Sequence, residues 1–165
     1  VRSKNFWRRT RKRAAGPLLL LLWPLLASAQ NDAVLKVRSP AAVRAGRGQL
    51  AAATITVEVR QGYHVNSHAP AEPYLIPLRL SWKSGPLEPV ETVYPKPKLA
   101  RFPFASKPLS VFDGAFVVTV RFRVPASAPL GPGQMTGKLR YQACNDTACL
   151  PPNTAEIRVP FTVHP

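Results

Sequence analysis

Apolar and polar residues alternate with a period of two in four stretches of the chain, the spacing that sends successive side chains to opposite faces of a strand. Ile55, Val57 and Val59 alternate with Thr54, Thr56, Glu58 and Arg60, and Phe116, Val118, Val120 and Phe122 alternate with Val117, Thr119, Arg121 and Arg123. Met135, Leu139 and Tyr141 share one face opposite Thr136, Lys138, Arg140 and Gln142, and Ile157, Val159, Phe161 and Val163 repeat the pattern near the end. Weaker strand patterns cover Val34 to Arg38, Tyr63 to Asn66, Leu75 to Trp82 and Pro89 to Val93. Turn formers separate them: Arg44 to Gly48, Gln61-Gly62, Lys83 to Pro86, Asp113-Gly114 and Leu130 to Gly133. No stretch carries a helical period, and 19 prolines argue against an all-helical chain, because each ring removes a donor and clashes with the preceding turn. Seven or eight short strands in about 130 residues predict an all-β fold, an immunoglobulin-like antiparallel β-sandwich whose two sheets share one core.

Two stretches break the alternation. Tyr94 to Pro108 holds Pro95, Pro97, Pro103 and Pro108 with Phe102 and Phe104, and its prolines exclude a central strand. Ala143 to Asn153 lies between two strong strands and holds both cysteines of the chain, Cys144 and Cys149.

The net charge of +15 over 165 residues suggests nucleic acid until its distribution is read. Arg2, Lys4, Arg8, Arg9, Arg11, Lys12 and Arg13 precede the apolar run Ala14 to Ala27, which is followed by Ser28 and Ala29. A basic segment, about 14 apolar residues and an A-x-A site read as a cleavable signal peptide over residues 1–29. The run is shorter than the roughly 20 apolar residues of a membrane span. Residues 30–165 then form the domain, with 16 basic and 8 acidic side chains and a net charge of +8. Those basic residues are dispersed and form no nucleic-acid arm. The expected location is periplasmic or otherwise extracytoplasmic, soluble after cleavage with no stable membrane span, where disulfides persist.

Four residues separate Cys144 from Cys149, so the two can meet across a tight loop if their Cα atoms come within about 4.4 to 6.8 Å. The spacing predicts a disulfide, and a purely structural staple is one reading of it. Closing a six-residue ring, however, is worth only about 2 kcal/mol in the chain-entropy model, against nearly 5 for a ring of roughly 100 residues. Zinc is a further alternative, since His64 and His68 have an H-x3-H spacing. On an extended chain their imidazoles would stand about 13 Å apart, too far to share an ion. The plainer role for both histidines is a polar surface or hydrogen-bonded loop position.

The segment Tyr141-Gln142-Ala143-Cys144 through Cys149-Leu150-Pro151-Pro152, with Gly62-Tyr63-His64-Val65-Asn66-Ser67 and Pro73-Tyr74-Leu75-Ile76-Pro77, resembles the amino-terminal periplasmic domain of DsbD-type thiol:disulfide interchange proteins. The resemblance covers about residues 33–164. It implies an immunoglobulin-like fold whose cysteine pair takes electrons from a membrane-embedded reductase and passes them to thioredoxin-fold acceptors, which repair disulfides or keep cytochrome c maturation thiols reduced. Cys144 and Cys149 would be the redox pair, with Cys149 the exchanging sulfur and Cys144 the resolving one. The family's aromatic cap corresponds to Phe102 or Phe104, with Phe104 preferred by its distance from the next strand, and Tyr63 and Tyr141 would line the site. Where some members carry acidic residues beside the cap ring, this chain has Arg101 and Pro103. Asp146 lies inside the cysteine loop, where its charge would raise a neighbouring thiol's pKa; the more ordinary role is to start the turn through a side-chain-to-backbone bond. No reductase or thioredoxin-like segment is seen in the sequence, so the membrane-embedded thiol reductase is expected to act in trans. No cofactor or metal is implied.

The leading expectation is thus a periplasmic thiol:disulfide carrier, a component of a protein-disulfide reductase system. The other is a secreted immunoglobulin-like binding or assembly module whose short disulfide only fixes a loop.

Overall fold

The computed structural model describes residues 33–38 and 40–165; the signal peptide read in residues 1–29 and its cleavage site lie outside them. In chain order the strands are β1 (Leu35–Arg38), β2 (Val43–Gly46), β3 (Leu50–Val59), β4 (His64–Asn66), β5 (Arg79–Trp82) and β6 (Glu88–Val93). They continue as β7 (Lys98–Ala100), β8 (Leu109–Asp113), β9 (Ala115–Arg123), β10 (Gly131–Tyr141), β11 (Ala143–Cys144) and β12 (Asn153–His164). Among the described residues there is no helix, and so none long and apolar enough to cross a membrane.

Two sheets, ordered β1-β3-β9-β6 and β2-β12-β10-β5, supply the main core of the immunoglobulin-like sandwich. Alternation decides which faces meet. Ile55 pairs with Val118 and Val57 with Phe116 across β3 and β9, while Met135 pairs with Val159 and Gly137 with Ile157 across β10 and β12. The side chains of Ile55, Val57, Phe116, Val118, Met135, Ile157 and Val159, with Leu139, Phe122 and Phe161, are buried in one cluster. Each large apolar side chain so buried is worth about 1.5 to 3 kcal/mol.

The structure departs from the sequence reading in four places. The pairing is not wholly antiparallel, because β12 pairs with β2 in parallel register, Phe161 opposite Val43. Three of the five residues of the expected Arg44 to Gly48 turn are therefore strand, and only Arg47 and Gly48 turn. Gly131 to Gly133 opens β10 instead of forming a turn; Gly133 lies opposite Phe161, whose ring occupies the space a Cβ would need, 2.3 Å away. The run Leu75 to Pro77 precedes β5 without joining it, where the Ile76 carbonyl accepts a bond from Asn66 Nδ2 at 3.0 Å.

The fourth departure positions the site. Beyond the two expected sheets there is a third, of short strands, ordered β11-β4-β8-β7. Two of its strands continue strands of the first two sheets: β8 runs into β9 through Gly114, at φ +60°, and β10 runs into β11 through Gln142. A left-handed residue at that bend favours glycine, which lacks the Cβ that clashes there. The proline-rich stretch contributes only the three-residue edge strand β7, as its composition requires.

Candidate functional site

The third sheet brings both cysteines to one tight hairpin. Cys144 and Cys149 form a disulfide, face each other as an antiparallel bridge, and have Cα atoms 3.9 Å apart. The bridge is flanked by Asn145 N–H donating to Ala148 O at 2.9 Å and Leu150 N–H donating to Ala143 O at 2.8 Å. It is thus a non-hydrogen-bonded pair, the position where opposed Cα atoms come closest, which explains why they are nearer than expected.

Asn145 holds the turn. Its Oδ1 accepts from Thr147 N–H at 3.0 Å, Ala148 N–H at 2.8 Å and the Thr147 hydroxyl at 3.0 Å. The turn-starting role expected of Asp146 therefore belongs to its neighbour, since a short side chain at the first turn position reaches the amides two and three residues on. Asp146, one place later, is exposed.

The two sulfur-bearing residues differ sharply in exposure. Cys144 is 1% exposed, held in β11 with Ala143, whereas Cys149 lies on the exposed side of the hairpin. Attack by a thiolate at the exposed residue would form a mixed disulfide through Cys149, with Cys144 as the departing sulfur.

The segment Gly62 to Ser67 builds the wall beside the disulfide. Gly62, at φ +79°, makes the turn into β4, and Tyr63 N–H closes it on Arg60 O at 3.0 Å. In β4, His64 is paired with Cys144 on one side and Asp113 on the other, so the strand register lays Cys144, His64 and Asp113 in a row across three strands. Directly opposed residues project from the same face. Val65 enters the core, and Ser67 accepts from the Ser110 hydroxyl at 2.9 Å.

His64 is 5% exposed and its Nε2 is buried without a hydrogen-bond partner. The sequence reading placed it at a polar surface or in a loop; the β4 pairing buries it instead. Burial pushes its pKa below 6.5, while the charges of Asp146 and Asp113 push it back up. His68, by contrast, is exposed and stacks on Tyr94 at 4.5 Å, so the two histidines sit in separate ring stacks.

An aromatic flap covers His64. Phe102 stacks on the imidazole at 4.0 Å, and Phe104 stacks on Phe102 at 5.4 Å. The stretch turns at Pro103 and Phe104, closed by Ala105 N–H donating to Phe102 O at 3.1 Å, and proline at the second position of such a turn presets its φ. Phe102 packs beside Leu75, Leu109 and Val111; Phe104 is 46% exposed. Of the two candidate cap rings, Phe102 is thus the inner one.

Tyr63, His64, Phe102, Asp113 and Asp146 line an open cleft of about 470 Å³. The Arg60 guanidinium lies 4.6 Å over the Tyr63 ring. Tyr141 is not among the residues lining that cleft: it is buried in the main core, which pushes its hydroxyl pKa up. Sequence reasoning passed over Asp113, marked only as a turn former, and the meaning of His64. The signal was a strand over Tyr63 to Asn66 next to a cysteine strand, but register is not written in alternation.

The protein is thus an all-β sandwich whose third sheet presents a disulfide on a hairpin. The sequence matches the family described as thiol:disulfide interchange protein DsbD, N-terminal, over residues 31–160, and the chain belongs to that family. Among solved structures, the N-terminal periplasmic domain of ScsB from Proteus mirabilis is similar, with TM-score 0.56 and 12% identity, covering 79% of this chain and 47% of that one. This chain therefore spans about half of that protein's solved length, and the likeness is one of fold. A PapD-like domain of human CEP192 aligns over 79% of this chain and 85% of its own at 13% identity, with TM-score 0.38. No curated protein matches the chain.

Proposed function

We propose that the protein is a periplasmic thiol:disulfide carrier in which Cys144 and Cys149 cycle between disulfide and dithiol. The observation that carries this reading is the unequal exposure of the pair: Cys149 on the open side of the hairpin, Cys144 buried at 1%. Family membership supports it. In the reducing step, a donor thiolate attacks the Cys149 sulfur. The Cys144–Cys149 bond breaks, a donor–Cys149 bond forms, and Cys144 leaves as a thiolate. The donor's second thiol then displaces Cys149, and the donor departs oxidised with both protein sulfurs reduced. Delivery to an acceptor disulfide runs the same steps in reverse.

The donor is a membrane-embedded thiol reductase, and the acceptors are thioredoxin-fold periplasmic proteins. Phe102, backed by Phe104, is the cap that limits access to the pair, and Tyr63 and Asp146 line the approach to it. Cys149 is the sulfur that bonds the partner.

Replacing Cys144 with Ser tests the reading. The variant retains Cys149 and should accumulate a mixed disulfide with a thioredoxin-fold protein, whereas Cys149→Ser should accumulate none or far less. The reduction potential of the native pair should lie above about −300 mV, within reach of exchange proteins. Failure of both variants to capture such a protein, with a potential below that value, would leave only a structural staple.

A further inference from the structure

We infer that His64 is the proton acceptor and donor for Cys144, with Asp113 and Asp146 holding the imidazolium that forms; this rests on the exchange reading above and names the group that makes the buried sulfur reactive. Three observations converge. The β4–β11 register places His64 directly opposite Cys144, and the β4–β8 register places Asp113 directly opposite His64. The imidazole is buried under Phe102, and its Nε2 has no hydrogen-bond partner. The same cleft is lined by His64, Asp113 and Asp146.

The chemistry requires such a group. A thiol buried among apolar neighbours resists ionisation, yet only the thiolate attacks a disulfide. Cys144 is that buried thiol once the pair is reduced. To release an acceptor from Cys149, Cys144 must lose its proton: His64 takes it, the Cys144 thiolate attacks the Cys149 sulfur, the Cys149–acceptor bond breaks, and the acceptor leaves as a thiolate. The Cys144–Cys149 disulfide is restored, and the imidazolium returns its proton to the acceptor thiolate or to water. In the opposite direction His64 protonates the Cys144 thiolate as it departs.

The charged and titratable groups around the imidazole suit both directions. Asp113 stands across β4 and is itself ion-paired with Lys98 of β7; Asp146 comes from the hairpin; Tyr63 precedes it in the chain. Burial favours a neutral ring ready to accept a proton, and the two carboxylates favour the cation once it has formed. A histidine kept only for packing would have no use for two carboxylates beside it and an unpartnered nitrogen.

The test reads the acid–base behaviour of Cys144 in the full chain with no partner present. In Cys149→Ser, Cys144 is the sole thiol, and its ultraviolet thiolate absorbance is titrated with and without His64→Gln. The expected result is a Cys144 pKa lower by about one unit in the presence of His64, with a second inflection from the imidazole that the His64→Gln variant lacks. Coincident curves would overturn the proposal. Because His64→Gln could compromise folding, a second measurement uses the unmutated protein: imidazole nitrogen chemical shifts of His64, followed against pH in the oxidised and reduced forms. Its titration should change with the redox state, and superimposable titrations would overturn the proposal. Neither readout depends on capturing a thioredoxin-fold protein, so failure here and failure of the carrier reading are separable.

Discussion

The main sandwich and the short third sheet are joined through β8–β9 and β10–β11, yet their strands are put to opposite uses. In the sandwich, β3, β9, β10 and β12 run nine to twelve residues each and alternate cleanly, and their inward faces are apolar. In the short sheet, β4, β7, β8 and β11 run two to five residues and bury His64, Asn66 and a cysteine. Long paired strands over an apolar core give stability with little chemistry. Short strands with buried polar groups contribute less stability and place reactive groups accurately, because the sandwich holds their ends.

The contrast can be tested by substitutions in the two regions. Phe122 is fully buried in the sandwich and meets Trp82 edge-on at 4.9 Å. Phe122→Ala should cost about 3 to 5 kcal/mol by denaturant unfolding, the largest effect of the series. Reducing the disulfide should cost about 2 kcal/mol, since it closes a ring of only six residues; a loss as great as that of Phe122→Ala would mean the short sheet is a stability element after all. Asn145→Ala removes three hydrogen bonds from an exposed turn and should cost about 1 kcal/mol while loosening the hairpin.

Phe102→Ala should change stability less than any of these, because the ring is half-buried on a small satellite cluster. It should instead speed reduction of the disulfide by a small thiol reagent, followed by stopped flow. The smallest stability effect is that of pH. Burial holds the His64 pKa below 6.5, so as pH falls the unfolded chain takes up a proton before the folded one does. Stability from this group is full above 6.5 and declines as the pH drops through that value toward the folded pKa. Thermal unfolding across that window should show the slope in the native protein and a flatter response in His64→Gln.

The two regions also differ in what their residues announce. Period-two alternation at Ile55, Val118, Leu139 and Val159 declares strands and core directly, because a sandwich strand must bury every second side chain. In the short sheet only β4 shows in the pattern, as the weak stretch Tyr63 to Asn66; the two-residue β11 is too short for any period, and β8 is hidden beside the conspicuous Asp113-Gly114 turn. The parallel β2–β12 pair was hidden for a related reason: pairing direction leaves no mark on alternation. At the site, the cysteines and the aromatic flap were legible from composition and resemblance. The row of Cys144, His64 and Asp113 was not, because it arises from the register of three strands distant in sequence. Asn145 and Asp146 are not separable in the sequence because either side chain can start a turn; the three bonds accepted by Asn145 Oδ1 separate them.

The bend at Gly114 and the short step at Gln142 make two of the longest backbone segments common property of both regions. In the proposed exchange, a visiting protein that tugs on Cys149 while bonded to it would therefore strain only the hairpin tip. The sulfur left behind is moored to strands that run the depth of the sandwich, so it stays aimed at the bond it must remake, and the visitor can be let go without the domain having to refold around the gap.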